Sequence, residues 1–117
     1  MKRNKQKMGQ LGEDFAVTYL KRLGYRILER NFRCRLGEID IIAKKGKELV
    51  FVEVKTRSSC RFGHPQDAVT PAKQAKLRTV ASFFLKRFDK SVPCRFDVLA
   101  ISIEGDMVRP QLIRNAF

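Results

Sequence analysis

Gly37-Glu38-Ile39-Asp40-Ile41-Ile42-Ala43-Lys44-Lys45-Gly46-Lys47-Glu48-Leu49-Val50-Phe51-Val52-Glu53-Val54-Lys55 is the stretch on which the fold turns. Leu36 to Ala43 is β-branched and alternating, which predicts a strand. Lys44 to Lys47, with Gly46, predicts a turn, and Glu48 to Lys55 a second strand. In that second strand Leu49, Phe51, Glu53 and Lys55 point one way, and Val50, Val52 and Val54 the other. Both faces are largely apolar, so the strand is expected at the centre of a sheet covered on both sides.

A hairpin symmetric about Lys45 and Gly46 sets Asp40 opposite Phe51. Glu53 is then the diagonal neighbour of Asp40, roughly 7–8 Å away at the backbone. Glu38 falls directly opposite Glu53. Three carboxylates and Lys55 converge on one face whose other positions are apolar. Carboxylates crowded together out of water resist ionisation, and a hard dication removes that cost. Mg²⁺ typically takes one or two carboxylates and completes its shell with water and phosphate. Asp40, Glu53 and the Val54 carbonyl make such a partial shell, with Lys55 placed to orient a water or meet developing negative charge. The alternative is a Glu53–Lys55 pair on a solvated face, which a Glu-x-Lys strand by itself supports. The apolar context and the extra acids weigh against it. Gly37 reads either as a bulge admitting backbone or phosphate, or as a turn residue.

Met8, Leu11, Phe15, Tyr19 and Leu23 recur every three or four residues, predicting a helix with one buried stripe that Gly24 stops. Glu13 falls beside Ala16 and Leu20 at the rim of that stripe. Residues 1–7, with Lys2, Arg3, Lys5 and Lys7, read as a flexible basic arm. Tyr25 to Arg33 is expected as a strand. Thr56 to Val69 reads as a loop containing Gly63, His64 and Pro65. Thr70 and Pro71 open a second helix as cap and first residue, running to about Arg87 with Leu77, Val80, Ala81, Phe84 and Phe88 inward. Arg95 to Ile103 and Met107 to Ile113 close the sheet. The order is helix, three strands, helix, two strands: one α/β domain over residues 1–117. Strands joined by short turns are antiparallel, and the crossover through the second helix permits a parallel pair.

Across 117 residues, 25 Lys and Arg outnumber 12 Asp and Glu, for a net charge of +13. That excess calls for a negative partner, with DNA expected ahead of RNA. A membrane surface would need a basic amphipathic helix with its apolar side exposed, and both helices read as core helices. No export signal or membrane-length apolar run is visible, and Cys34, Cys60 and Cys94 form no close pair, so reduced thiols and a cytoplasmic location are expected.

The spacing resembles the PD-(D/E)xK nuclease superfamily, with Asp40 as first acid and Glu53-Val54-Lys55 as the E-x-K; Ile39 stands where that name has proline. More closely, the chain resembles the YraN-like bacterial family. The matching stretches are Gly12-Glu13, Gly37-Glu38-Ile39-Asp40, Val52 to Arg57, Lys73-Gln74 with Leu77, Cys94 to Val98 and Ile113 to Phe117. The resemblance implies a restriction-endonuclease-like three-layer core, a mixed five-stranded sheet flanked by helices. It is similar, more distantly, to archaeal Holliday-junction resolvases, in which a glutamate of the first helix joins the metal site; Glu13 matches that position.

The expected function is therefore a Mg²⁺- or Mn²⁺-dependent nuclease acting on phosphodiesters, resolvase-like on branched DNA. A non-catalytic nucleic-acid-binding module on the same fold is the alternative. The expected catalytic residues are Asp40, Glu53, Lys55 and Glu13; the metal ligands Asp40, Glu53, Val54 and Glu13; Glu38 is accessory. Arg57, Lys73, Gln74 and Lys76 are expected at phosphates, against a solvated helix turn and plain surface charge. Asp97 is expected to partner a nearby Arg or Lys, His64 to play no part, and Phe83, Phe84, Phe88 and the cysteines to pack. Cutting both strands of a four-way junction would call for a twofold homodimer.

Overall fold

The computed structural model describes residues 5–58 and 69–117, with side chains from residue 9 onward. Among the described residues seven elements follow in the expected order: α1 (Lys5–Arg22), β1 (Arg26–Cys34), β2 (Gly37–Lys45), β3 (Glu48–Arg57), α2 (Pro71–Leu85), β4 (Cys94–Glu104) and β5 (Met107–Ile113). The helix α1 takes in residues 5–7 of the stretch read as an arm. Thr56 and Arg57, expected in a loop, extend β3 instead. His64 and Cys60 lie outside the described residues.

The strands lie in the order β1-β2-β3-β4-β5. Only β3 and β4 are parallel, joined by the long crossover through α2. Central β3 is buried from Leu49 to Glu53, as its two apolar faces require. On one face Leu49, Phe51, Phe96 and Val98 lie under Leu77, Val80 and Phe84 of α2. On the other, Val50, Val52, Leu99 and Ile101 lie under Ala16 and Leu20 of α1. Phe51 sits between the Phe84 and Phe96 rings, with centroids 6.1 and 5.3 Å away. Truncating it to alanine should cost about 3–5 kcal/mol.

Thr70 caps α2 as its sequence predicts, accepting from the Lys73 N–H at 3.2 Å, with Pro71 in the first turn. The burial of Leu77, Val80, Ala81 and Phe84 follows the predicted stripe. Phe83 and Phe88, expected in the core, are 39% and 41% exposed. Phe83 is one step, about 100°, round from Phe84, and Phe88 lies past the end of the helix. Cys34 packs against the core, whereas Cys94 is exposed at the start of β4.

Two corrections move the site. First, the buried line of α1 is Gly12, Ala16 and Leu20, while Leu11 is 48% exposed and Phe15, Tyr19 and Leu23 flank the line half-buried. Small residues bring the helix close: a Cβ on Gly12 would lie 2.0 Å from Thr56 Oγ1. The largest side chains therefore flank the contact instead of forming it. Glu13 is half-buried at the rim, as its angle predicts.

Second, the β2–β3 hairpin closes through a two-residue turn, pairing Lys45 with Glu48 and Ile42 with Phe51. Gly46, first in that turn, has φ +60°, the hand that matches the twist of the strands. Phe51 therefore faces Ile42, not Asp40. The ladder stops at Ile41–Val52, so continuing its count puts Asp40 level with Glu53. Just there the sheet changes sides. Arg30–Ile41 and Phe32–Ile39 are paired two residues apart, yet Ile41 belongs to the α1 core and Phe32 and Ile39 to the α2 core. Residues two apart in a regular strand share a face. The turnover falls at Asn31, whose φ is +52°, and at Asp40. Asparagine is among the few residues that enter this conformation readily.

Candidate metal and phosphate site

Because the ladder ends at Val52, the Val54 N–H has no β2 backbone partner and donates to Asp40 Oδ2 at 2.8 Å. That bond swings the Asp40 carboxylate to the C-terminal end of β3. Glu53, 7% exposed, points to the α2 side beside Phe51. The capped first turn of α2 delivers Lys73, whose Nζ donates to Glu53 Oε1 at 2.8 Å. Lys55 Nζ stands 3.9 Å from the same oxygen. Two acids and two lysines thus come from β2, β3 and the start of α2.

Burial, then the Glu53 charge, push the Asp40 carboxyl up to about 7. The Val54 N–H opposes the rise, Glu13 adds to it and Lys73 counters it. Burial and the neighbouring Lys73 hold Lys55 below the usual ammonium range. Burial is the largest influence on Lys73 and opposes its charge, but the bond to Glu53, Lys55, and the Glu53 and Asp40 charges together raise it. The four groups share a site in which an added positive charge is welcome at Asp40.

Glu38, expected opposite Glu53, is elsewhere: it pairs across the strands with Arg33 at 2.8 Å and is exposed. The two-residue turn shifted the register that would have brought it in. Arg57 Nε is 3.4 Å from Ser102 Oγ on β4. Gln74 Nε2 donates to the Val69 carbonyl at 3.0 Å. Lys76 is exposed on the next part of α2. The Val54 side chain packs toward α1, and the group it turns to Asp40 is its N–H. Lys73, expected at phosphates, is bonded to Glu53. The capping signal that places it at the helix start, which follows the E-x-K strand, was already in the sequence.

Among the described residues, no three His, Cys, Asp or Glu side chains gather closely enough to hold a metal on their own. The donors that are present, two adjacent carboxylates of which one ionises reluctantly, suit a hard dication sharing its shell with water and phosphate. Asp97, the other deeply buried acid, accepts from Tyr25, Arg95 and the Asn115 N–H and is a structural partner, as expected.

The five-stranded mixed sheet with one helix on each face is compatible with a restriction-endonuclease-like fold. Residues 12–101 match the model of uncharacterised protein family UPF0102, and the chain belongs to that family. A UPF0102 protein of Caldicellulosiruptor saccharolyticus is 50% identical over 97% of this chain and 99% of its own. One of Geobacter sulfurreducens is 54% identical over 94% and 88%, and one of Geobacter metallireducens 50% identical over 100% and 97%. The matched range takes in Glu13, Asp40, Glu53, Lys55 and Lys73. Among the described residues no helix is long and apolar enough to cross a membrane.

Proposed function

We propose that this protein is a nucleic-acid-binding nuclease that hydrolyses phosphodiester bonds, using Mg²⁺ or Mn²⁺ held by Asp40 and Glu53. The observation that carries the reading is the pair of acids at the end of β3. Asp40 is pinned by the Val54 N–H and pushed toward neutrality by burial and by Glu53, and Glu53 itself is met by Lys73 and Lys55. A bound dication supplies positive charge to the phosphoryl oxygens and lowers the pKa of water at the site. Lys55, with its charge weakened by burial, is placed to orient that water or to meet the charge developing on the phosphate. Glu13 adds negative charge from the rim of α1.

The test is cleavage of labelled branched, duplex and single-stranded DNA, with an RNA control, in Mg²⁺ or Mn²⁺. Wild type should cut at least one class, and Asp40→Ala none. No cleavage of any substrate, with binding intact, selects the non-catalytic module. The +13 charge supports nucleic-acid binding in either case. Log affinity for duplex should fall linearly with log salt, by about 0.9 per phosphate neutralised. Asp40→Ala should bind at least as well as wild type, since it removes a negative group. Resolvase-like action adds a twofold dimer. Sedimentation at micromolar protein with junction DNA checks it, and a monomer there leaves a simple nuclease.

A further inference from the structure

Lys73 belongs to two places at once. Its Nζ is bonded to Glu53 Oε1 at 2.8 Å inside the acid pair, and its side chain also lines an open cleft between α2 and the start of β2. That cleft, of about 440 Å³, is lined by Arg33, Cys34, Gly37, Glu38, Lys73, Lys76 and Leu77. Gly37 has φ +142°, and a Cβ there would stand 3.1 Å from Val80 Cγ2 and 3.2 Å from Lys76 Cε. The bare glycine is what lets the stem of Lys76 lie against the strand and form the cleft wall. Glu38 neutralises Arg33 at its edge. Among the described residues no carboxylate pairs with Lys76. The cleft therefore carries net positive charge above an apolar floor, which suits an anionic group such as a phosphate of a nucleic-acid strand.

We infer that Lys73 is a positioning residue that occupies Glu53 until a dication takes its place, and then turns into this cleft to hold a strand phosphate beside Lys76. The inference rests on the metal reading of Asp40 and Glu53. An ammonium and a dication compete for one carboxylate in a half-buried site, where like charges repel more strongly than in water. Lys73 is 39% exposed on its side chain, so it can leave Glu53 without crossing packed core. Metal and phosphate then each favour the same Lys73 position. By linkage, each must raise the other's affinity by the same factor.

The experiment is calorimetric titration of Mn²⁺ into the full chain at pH 8, with and without thymidine 5′-monophosphate, which has no diester to cut. Lys73→Met should bind Mn²⁺ roughly fivefold more tightly than wild type without nucleotide, about the worth of a half-exposed ion pair. Lys73→Arg, which keeps the charge, should stay near wild type. Nucleotide should tighten Mn²⁺ binding in wild type and do so less in Lys73→Met. Lys76→Ala should weaken nucleotide binding with Mn²⁺ affinity unchanged. Equal or weaker Mn²⁺ binding by Lys73→Met, or undiminished coupling in it, overturns the role given to Lys73 while leaving an Asp40-dependent metal site intact. Absence of any Asp40-dependent Mn²⁺ site in wild type removes the metal reading itself, and this inference with it.

Discussion

Asp97 and Asp40 are both withdrawn from water, and they are treated in opposite ways. Asp97, fully buried on β4, accepts from Tyr25 Oη at 3.0 Å, Arg95 Nε at 3.0 Å and the Asn115 N–H at 2.9 Å. Its charge is matched by Arg95, which also reaches Glu48 at 2.7 Å. Burial, and next the Asp97 charge, push the Tyr25 hydroxyl up and keep it a donor. Asp40 has one N–H and, within reach of its charge, the like charges of Glu53 and Glu13, which Lys73 only partly offsets. A saturated carboxylate ties β4, the residues after α1 and the C-terminal residues together. An undersatisfied one costs stability unless something positive arrives. The contrast sets an acid whose charge is matched inside the fold against one whose charge is not.

The largest effect should come from breaking the saturated site. Asp97→Ala leaves the Tyr25 hydroxyl and the Asn115 N–H without their acceptor, and the loss expected for breaking a buried pair is about 3–5 kcal/mol. Chemical denaturation measures it. A loss well under that at unchanged slope would mean Glu48 compensates for Arg95.

Removing the charge of Asp40 should act the other way. Asp40→Asn keeps an acceptor for Val54 and removes a group held at about 7 against an ordinary 3.8. Below both values folded and unfolded chains carry the proton alike. Between them the unfolded chain ionises first, so wild-type stability falls as pH rises, and above 7 the penalty is complete. The variant should therefore be more stable than wild type at pH 8, by as much as about 4 kcal/mol at 1.36 kcal/mol per pH unit. The gain should disappear near pH 3.5. Melting curves with a pH-independent difference would show that the stabilisation has another origin.

Gly12→Ala should be next. Its Cβ would press on Thr56 Oγ1 at 2.0 Å, and lifting α1 should cost about 1–3 kcal/mol, partly offset by the better helix propensity of alanine. Thr56→Ala in the same chain should recover part of the loss, and additive losses would contradict the contact. The smallest effect belongs to Glu38→Gln: its pair with Arg33 is exposed, and a change within about 1 kcal/mol is expected in a stability assay. Cleavage should also survive it, since Glu38 stands outside the acid pair.

The E-x-K strand was legible because two opposed apolar faces, Leu49 and Phe51 against Val50, Val52 and Val54, leave a central strand as the only economical burial. The Thr70 cap and the parallel crossover were legible for similarly local reasons. The Asp40 register was not. It depends on Gly46 adopting a two-residue turn and on Asn31 entering positive φ, and neither is forced by the alternation of side chains. The buried line of α1 was misplaced because counting large apolar residues overlooks the close approach that Gly12 and Ala16 allow. The place of Lys73 needed the end of β3 and the start of α2 brought together in space, a contact set by packing and not by spacing.

We propose that the acid pair of Asp40 and Glu53 takes a dication. Titration of Mn²⁺ into wild type and Asp40→Ala across pH 5 to 9 tests it most directly. Metal must displace the Asp40 proton, so one site is expected whose apparent affinity rises toward tenfold per pH unit below about 7 and levels off above, and which Asp40→Ala abolishes. A Mn²⁺ affinity that is flat with pH, or that survives Asp40→Ala, would contradict the account.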